Sequence, residues 1–296
     1  MNWLIFALLA PVCWSFNIIF DKFMLTKRIQ DPFVFNIFSL LVSAPVVLVF
    51  LFVPISFSFP WFFLGILNGL LLSASFFVYN KALKKEEASI IISLVYIKPI
   101  IVVFLAWLLL SESLSISKYA GIVLIVLSSI LISYIKPQKK IFLFSVLVLV
   151  LIVAFLWAIS NILAKYIMLD IDYWSLLFWT TVGGLISIPL WLLRPDIRAS
   201  FAKTVKSVDK KIYLYFIFNE AIYTLGELFF FIATSLGLVS IVAAISGLQP
   251  FFILIFALML SIFVPSILKE VIDRKTVLLK LIAVILIFIG SWLIVI

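Results

Sequence analysis

WSFNIIFDK, at Trp14 to Lys22, returns as WAISNILAK at Trp157 to Lys165. In both stretches a tryptophan and a lysine stand eight residues apart within a largely apolar run, and an asparagine lies between them. Working outward, Asn68, Ala82, Ser89 and Pro99 return as Asn219, Ala233, Ser240 and Pro250 at another common offset. Gly121 to Ser129 then aligns with Ala283 to Ser291 if the second half carries an insertion around Pro265 to Arg274. Ordered matches of polar residues and prolines weigh more than apolar likeness, so the chain reads as one unit written twice, 1–137 and 138–296.

The apolar runs give each unit five helices. In the first unit they are Asn2 to Met24, Phe33 to Val53, Pro60 to Leu83, Ala88 to Leu110 and Ser117 to Ile135. In the second they are Ile141 to Met168, Tyr173 to Leu193, Ile212 to Leu236, Val239 to Val264 and Thr276 to Ile296. Hydrophobic residues make up 66% of the chain and charged ones 12%, and Pro32 to Asn80 is uncharged, far more than the roughly 20 residues that cross a bilayer. The expected fold is therefore an all-α integral membrane protein of ten transmembrane helices. Met1 to Ser15 has no basic flank or small-residue cleavage pattern and reads as part of a retained first helix.

An odd number of spans per unit inverts the second unit relative to the first. Basic residues test this. Lys22, Lys27, Arg28, Lys81, Lys84 and Lys85 crowd the loops after the first and third helices. In the second unit the load moves to the loops after its second and fourth helices, with Arg194, Arg198, Lys203, Lys206, Lys210, Lys211, Lys269, Arg274 and Lys275. Opposite charge on matching loops is what an inverted repeat requires. The positive-inside rule then puts Lys27, Lys84, Lys139 and Lys210 in the cytoplasm, both termini outside, and the protein in the cytoplasmic membrane.

The net charge of +9 is gathered in short clusters between spans, a topology signal that excludes nucleic acid as a partner. One cysteine, Cys13, and no histidine leave no internal disulfide and no zinc set, and no metal or cofactor is expected. Phosphate-binding loops, dinucleotide fingerprints and nucleophile elbows are also missing from the sequence, which argues against an enzyme and against an ATP-driven pump.

The openings at Trp14 and Trp157, together with ASIIISLVYIKPIIVVFLAWLLLSE at Ala88 to Glu112 and its echo VSIVAAISGLQPFFILIFALML from Val239, resemble the EamA branch of the drug/metabolite transporter superfamily. The resemblance implies a secondary transporter for a small metabolite or drug, working as an exporter or exchanger, as monomer or homodimer in the bilayer. The alternative within that fold is a flippase for a lipid-linked sugar or phospholipid. Three departures stand out: that family's termini are usually cytoplasmic, Glu112 has no counterpart in the second unit, and Lys98 and Gln249 precede the paired prolines where small or hydroxyl residues are common.

Ionisable residues inside a span mark functional sites. Lys98 and Glu220 lie about 15 Å and about 12 Å into helices that start from one face, so they are level and able to pair. Glu220, Tyr223 and Glu227 share one face of the eighth helix. A carboxylate there suits a proton, as coupling ion, or a cationic substrate in exchange. Gln249, Asn17, Asn219, Trp14 and Trp157 complete the substrate or coupling candidates, and Pro99 and Pro250 are candidate helix breaks. Gly65, Gly69 and Ser73 form a small-residue stripe for close helix contact.

Overall fold

A computed structural model describes residues 3–86, 88–133, 143–263 and 274–295. Every described element is helical. The first half contains α1 (Trp3–Lys27), α2 (Pro32–Ser43) continued by a 3₁₀ turn (Ala44–Leu51), α3 (Trp61–Lys85), α4 (Ala88–Val95), α5 (Lys98–Leu110) and α6 (Ile116–Ser133). The second contains α7 (Leu143–Ile167), α8 (Tyr173–Leu192), α9 (Pro195–Ser207), α10 (Lys210–Leu236), α11 (Val239–Ile245), a 3₁₀ turn (Ser246–Leu248), α12 (Gln249–Phe263) and α13 (Arg274–Val295). The boundary expected at 137/138, Lys139, the expected end of the ninth run at 264, and residues 265–273 of the expected insertion, Lys269 among them, lie outside the described residues.

All ten apolar runs are helical, but they do not all form single helices. The fourth run breaks into α4 and α5 ahead of Pro99, and the ninth passes through a 3₁₀ turn ahead of Pro250. Proline cannot donate to the carbonyl one turn earlier and its ring crowds that turn, so the continuous spans read from hydropathy are interrupted there. For the same reason the second run tightens to 3₁₀ geometry from Ala44, next to Pro45. Among the described residues, six helices are long and apolar enough to cross a membrane: those of runs one, two, three, six, seven and eight.

The basic segment after α8, read from sequence as a loop, is the helix α9. Its charge hides a short apolar face in which Ile197, only 2% exposed, and Phe201 stand four residues apart. Pro195 at its start, Asp196 in the first turn and Lys206 in the last suit a helix. Arg194 donates to Asp196 at 2.6 Å, and that bond holds the exposed carboxyl below its usual range. Ser200 Oγ anchors α9 by donating to Asp31 Oδ2 at 2.8 Å.

Aspartates and lysines manage the helix ends. Asp31 accepts from Phe33 N and Val34 N at the start of α2, and Asp172 accepts from Trp174 N and Ser175 N at the start of α8. Lys22 Nζ donates to Leu83 O and Glu86 O at the end of α3, both at 2.5 Å. Lys165 Nζ does the same at the end of α10, to Thr234 O at 2.8 Å and Gly237 O at 2.9 Å. A lysine there satisfies free carbonyls and meets the negative end of the helix dipole.

The helices pack mainly across the halves. α1 lies along α10 and α3 along α7, α5 lies against α7 and α12 against α1, and α6 crosses α13. α3 also lies against α8 at near-backbone contact, because small residues face each other. A Cβ on Gly69 would sit 2.7 Å from Gly184 N and 2.9 Å from Gly183 Cα, and one on Gly183 would strike the backbone of Ile66. Gly69→Val is therefore expected to destabilise the fold by about 1–3 kcal/mol, the usual cost of overpacking, and to lower the melting temperature in detergent. Leu67→Val, on the exposed side of α3, is the matched control and should leave the melt almost unchanged.

Candidate functional site

A cavity lies where α1, α3, α7 and α10 face one another and the breaks in the fourth and ninth runs meet. Its polar lining follows from helical spacing. Trp14, Asn17 and Asp21 occupy one face of α1, and Glu220, Tyr223 and Glu227 one face of α10, each at three- to four-residue steps. The cavity has two lobes, of about 90 Å³ and about 50 Å³, which share Asn17, Leu72, Phe76, Tyr223, Glu227 and Phe231.

The larger lobe holds Asp21 and Glu220, with Asn36, Ser39, Thr180 and Thr181 around them. Asp21 and Glu220 are 5% and 7% exposed and close enough for their carboxylates to repel each other. Asn219 Nδ2 donates to Asp21 Oδ1 at 2.7 Å, which holds one carboxylate oxygen toward α10. Ser39 lies within reach of Glu220. Two buried acids with so few donors form a strong site for a cation or a shared proton.

The smaller lobe is aromatic and holds Lys98, 4% exposed. Its Nζ lies 5.9 Å from the ring centre of Trp14 and 5.8 Å from those of Tyr96 and Trp157, within cation–π range. Glu227 lines the same lobe, close enough to Lys98 for the opposite charges to attract. Trp157 Nε1 donates to Ser75 Oγ at 2.9 Å, and Ser160 Oγ donates to Asn68 Oδ1 at 2.8 Å. On the other side Trp14 has no hydrogen-bond partner by distance and angle, although Glu227 is within its electrostatic reach. Gly226 lies against its indole, with room for no side chain.

The two helix breaks are tied to each other. Tyr96, in the gap between α4 and α5, donates its hydroxyl to Gln249 Oε1 at the start of α12, and Ser15 Oγ of α1 donates to Gln249 O at 3.1 Å. Pro99 and Pro250 sit just inside α5 and α12, buried beside this junction. Further from the cavity, Glu112 accepts from Val239 N at 3.0 Å, Ser240 N at 3.1 Å and Ser240 Oγ at 2.6 Å. It therefore caps α11 from outside the helix, next to the Lys165 clamp.

Glu220, Glu227, Tyr223, Lys98, Gln249, Asn17, Trp14 and Trp157 all line this cavity. Asn219 does not: it is fully buried behind the wall and acts through Asp21. Lys98 and Glu220, level by helix depth, form no ion pair, because the side chains turn into different lobes and Lys98 shares its lobe with Glu227. Asp21 is the main residue that sequence reasoning passed over. Next to Lys22 it looks like part of a span end, yet it lies seven residues after Trp14, the spacing that links Glu220 to Glu227. Thr180 and Thr181 of α8 carry no comparable signal.

The profile of the EamA-like transporter family matches residues 1–134, so the resemblance carried by the motifs holds over that stretch. No curated protein sequence matches the chain significantly. A solved structure described only as "Crystal structure of protein" superposes with a TM-score of 0.72 at 13% identity, covering 99% of this chain and 95% of that one. That likeness is one of fold. With six helices long and apolar enough to cross a bilayer, the chain is a multi-pass membrane protein.

Asn219→Leu removes the donor that holds Asp21 and is expected to lower stability by about 1–3 kcal/mol, the cost of a buried polar group left without its partner. Pairing it with Asp21→Leu should recover part of that loss. A thermal melt of the single and double variants checks the coupling.

Proposed function

We propose that this protein is a secondary active transporter that moves a small metabolite or drug across the cytoplasmic membrane by alternating access, with protons as coupling ion. The observation that carries the reading is the cavity in which Asp21, Glu220, Glu227 and Lys98 are gathered among aromatic walls. Three carboxylates and one ammonium amount to an excess of negative charge, which favours a solute bearing a protonated amine. Proton transfer to Glu220 or Asp21 would release such a solute, and binding of the solute would release the proton. Trp14, Trp157, Phe76 and Tyr223 offer apolar and cation–π surface for its remainder.

The architecture in this proposal is ten spans in two inverted repeats. Several pairings support it. Lys22 and Lys165 clamp the ends of α3 and α10, and Asp31 and Asp172 cap α2 and α8, so equivalent residues do equivalent work in each half. The α1 with α10 contact matches α7 with α3, and α5 with α7 matches α12 with α1. The breaks ahead of Pro99 and Pro250, at matching positions of the two halves, are joined by the Tyr96–Gln249 bond, as suits broken helices that would meet at a central site. One chain supplies every wall of the cavity, so the monomer suffices as the transporting unit.

A flippase would need the cavity to open sideways into lipid. The large lateral groove of the molecule, described below, shares no lining residue with either lobe. The soluble-substrate reading is therefore the one we adopt.

In proteoliposomes, Glu220→Gln is expected to retain the wild-type melting temperature while losing accumulation driven by a pH gradient, since the neutral side chain cannot exchange a proton. Full uphill transport by this variant over the whole pH range would remove Glu220 from coupling. For orientation, single cysteines replacing Lys84 or Phe59 in a Cys13→Ala background should react differently with an impermeant maleimide applied to intact cells. The proposal expects reaction at Phe59 and none at Lys84, and the opposite pattern would invert the topology.

A further inference from the structure

The outer faces of α1 and α10 enclose, with α12, a groove of about 800 Å³, several times the combined size of the two lobes of the cavity. Its walls are apolar and largely aromatic: Phe16, Phe20 and Phe23 from α1, Tyr215 from α10, and Phe256 and Met259 from α12. Phe16, Tyr215 and Met259 are 40%, 53% and 49% exposed, so the groove opens outward. The same two helices turn their opposite faces, with Asn17, Asp21 and Glu220, to the cavity.

One end of the groove is basic. Arg28 and Lys211 stand there, both exposed, and neither forms an ion pair within the protein among the described residues. Asp209, the one acid in the lining, accepts from Lys211 N at 3.1 Å as the N-cap of α10, so its carboxylate is turned to the helix end. From Phe16 to Arg28 the rise along α1 is about 18 Å, against about 15 Å for half of a hydrocarbon core. With Arg28 and Lys211 at headgroup level, the groove would reach near the bilayer midplane, the depth of one leaflet.

We propose that this groove is a binding site for one anionic glycerophospholipid, with an acyl chain along Phe16, Phe20 and Phe23 and the phosphate between Arg28 and Lys211. A phosphate supplies the counter-ion that the protein does not, with several oxygens for both cations. A zwitterionic headgroup would bring its own cation against Arg28 and Lys211, so selectivity for net negative lipid follows from the same pair. A second copy of the chain is disfavoured as occupant, because a twofold contact here would bring two basic rims together. The site does not depend on what the cavity transports.

The test uses the full chain in detergent and in nanodiscs, read by native mass spectrometry and thermal melting. Phosphatidylglycerol should be retained as one molecule per chain and raise the melt, whereas phosphatidylcholine and inorganic phosphate should do neither. Arg28→Gln with Lys211→Gln should weaken the preference for phosphatidylglycerol about thirtyfold, from two lost surface charges. Met259→Trp, which narrows the groove with both charges intact, should also weaken lipid retention, and Lys203→Gln on α9 should leave it unchanged. The proposal is overturned by equal retention of both lipids, by an unchanged preference in the double variant, by inorganic phosphate reproducing the shift, or by a lipid-free dimer that the groove variants dissolve.

Discussion

A helix that ends within apolar surroundings leaves four carbonyls or four amides without partners, and hydrocarbon offers them none. Much of this molecule is arranged around that constraint. The lysines that close the two repeated motifs reach across to the ends of α3 and α10 and satisfy carbonyls there, while Glu112 answers the amides of α11. The tight turn at Gly237 is thereby held from both sides, with a cation on its carbonyls and an anion on its amides. Those charges also agree with the dipoles of the helices they serve.

Once the ends are secured, the breaks near the molecular centre become tolerable. Pro99 and Pro250 interrupt runs that would otherwise be continuous, and hydrogen bonds from Tyr96 and Ser15 to Gln249 join the two breaks and α1 there. The polar residues of α1 and α10 then face one shared volume instead of the bilayer. Lys98 finds aromatic faces and Glu227, and Asp21 finds Asn219, so each of these two has a neighbour of suitable chemistry.

Much of this was legible in the sequence, for identifiable reasons. Span-length apolar runs are a direct consequence of the solvent, and Lys98, Glu220 and Glu227 stand out because charge inside such a run is costly. All three line the cavity, and the uncharged Tyr223, Gln249, Asn17, Trp14 and Trp157 line it with them. The pairing of Lys98 was misjudged, since depth along a helix says nothing about the direction of a side chain around it. Asp21 was hidden by its neighbour Lys22, which made a buried acid look like part of a charged end. The helix α9 was hidden by its own lysines, because an average over a window loses an apolar face of two residues.

The polar groups of the first half find their partners mainly in the second. Asn68 of α3 accepts from Ser160 of α7 and donates to Thr180 of α8 at 3.4 Å, Ser75 accepts from Trp157, and Asp21 waits for Asn219. Viewed from the ribosome, this sets a schedule. When α6 has been made, every one of those groups is still open, and the glycine face of α3 has nothing to lie against. The first half then has contacts of its own, such as Lys22 on the end of α3 and Asn36 on Ser73, while the bonds to α7, α8 and α10 can form only as those helices arrive. A protein whose halves look alike is in this respect one folding unit, assembled last-made onto first-made.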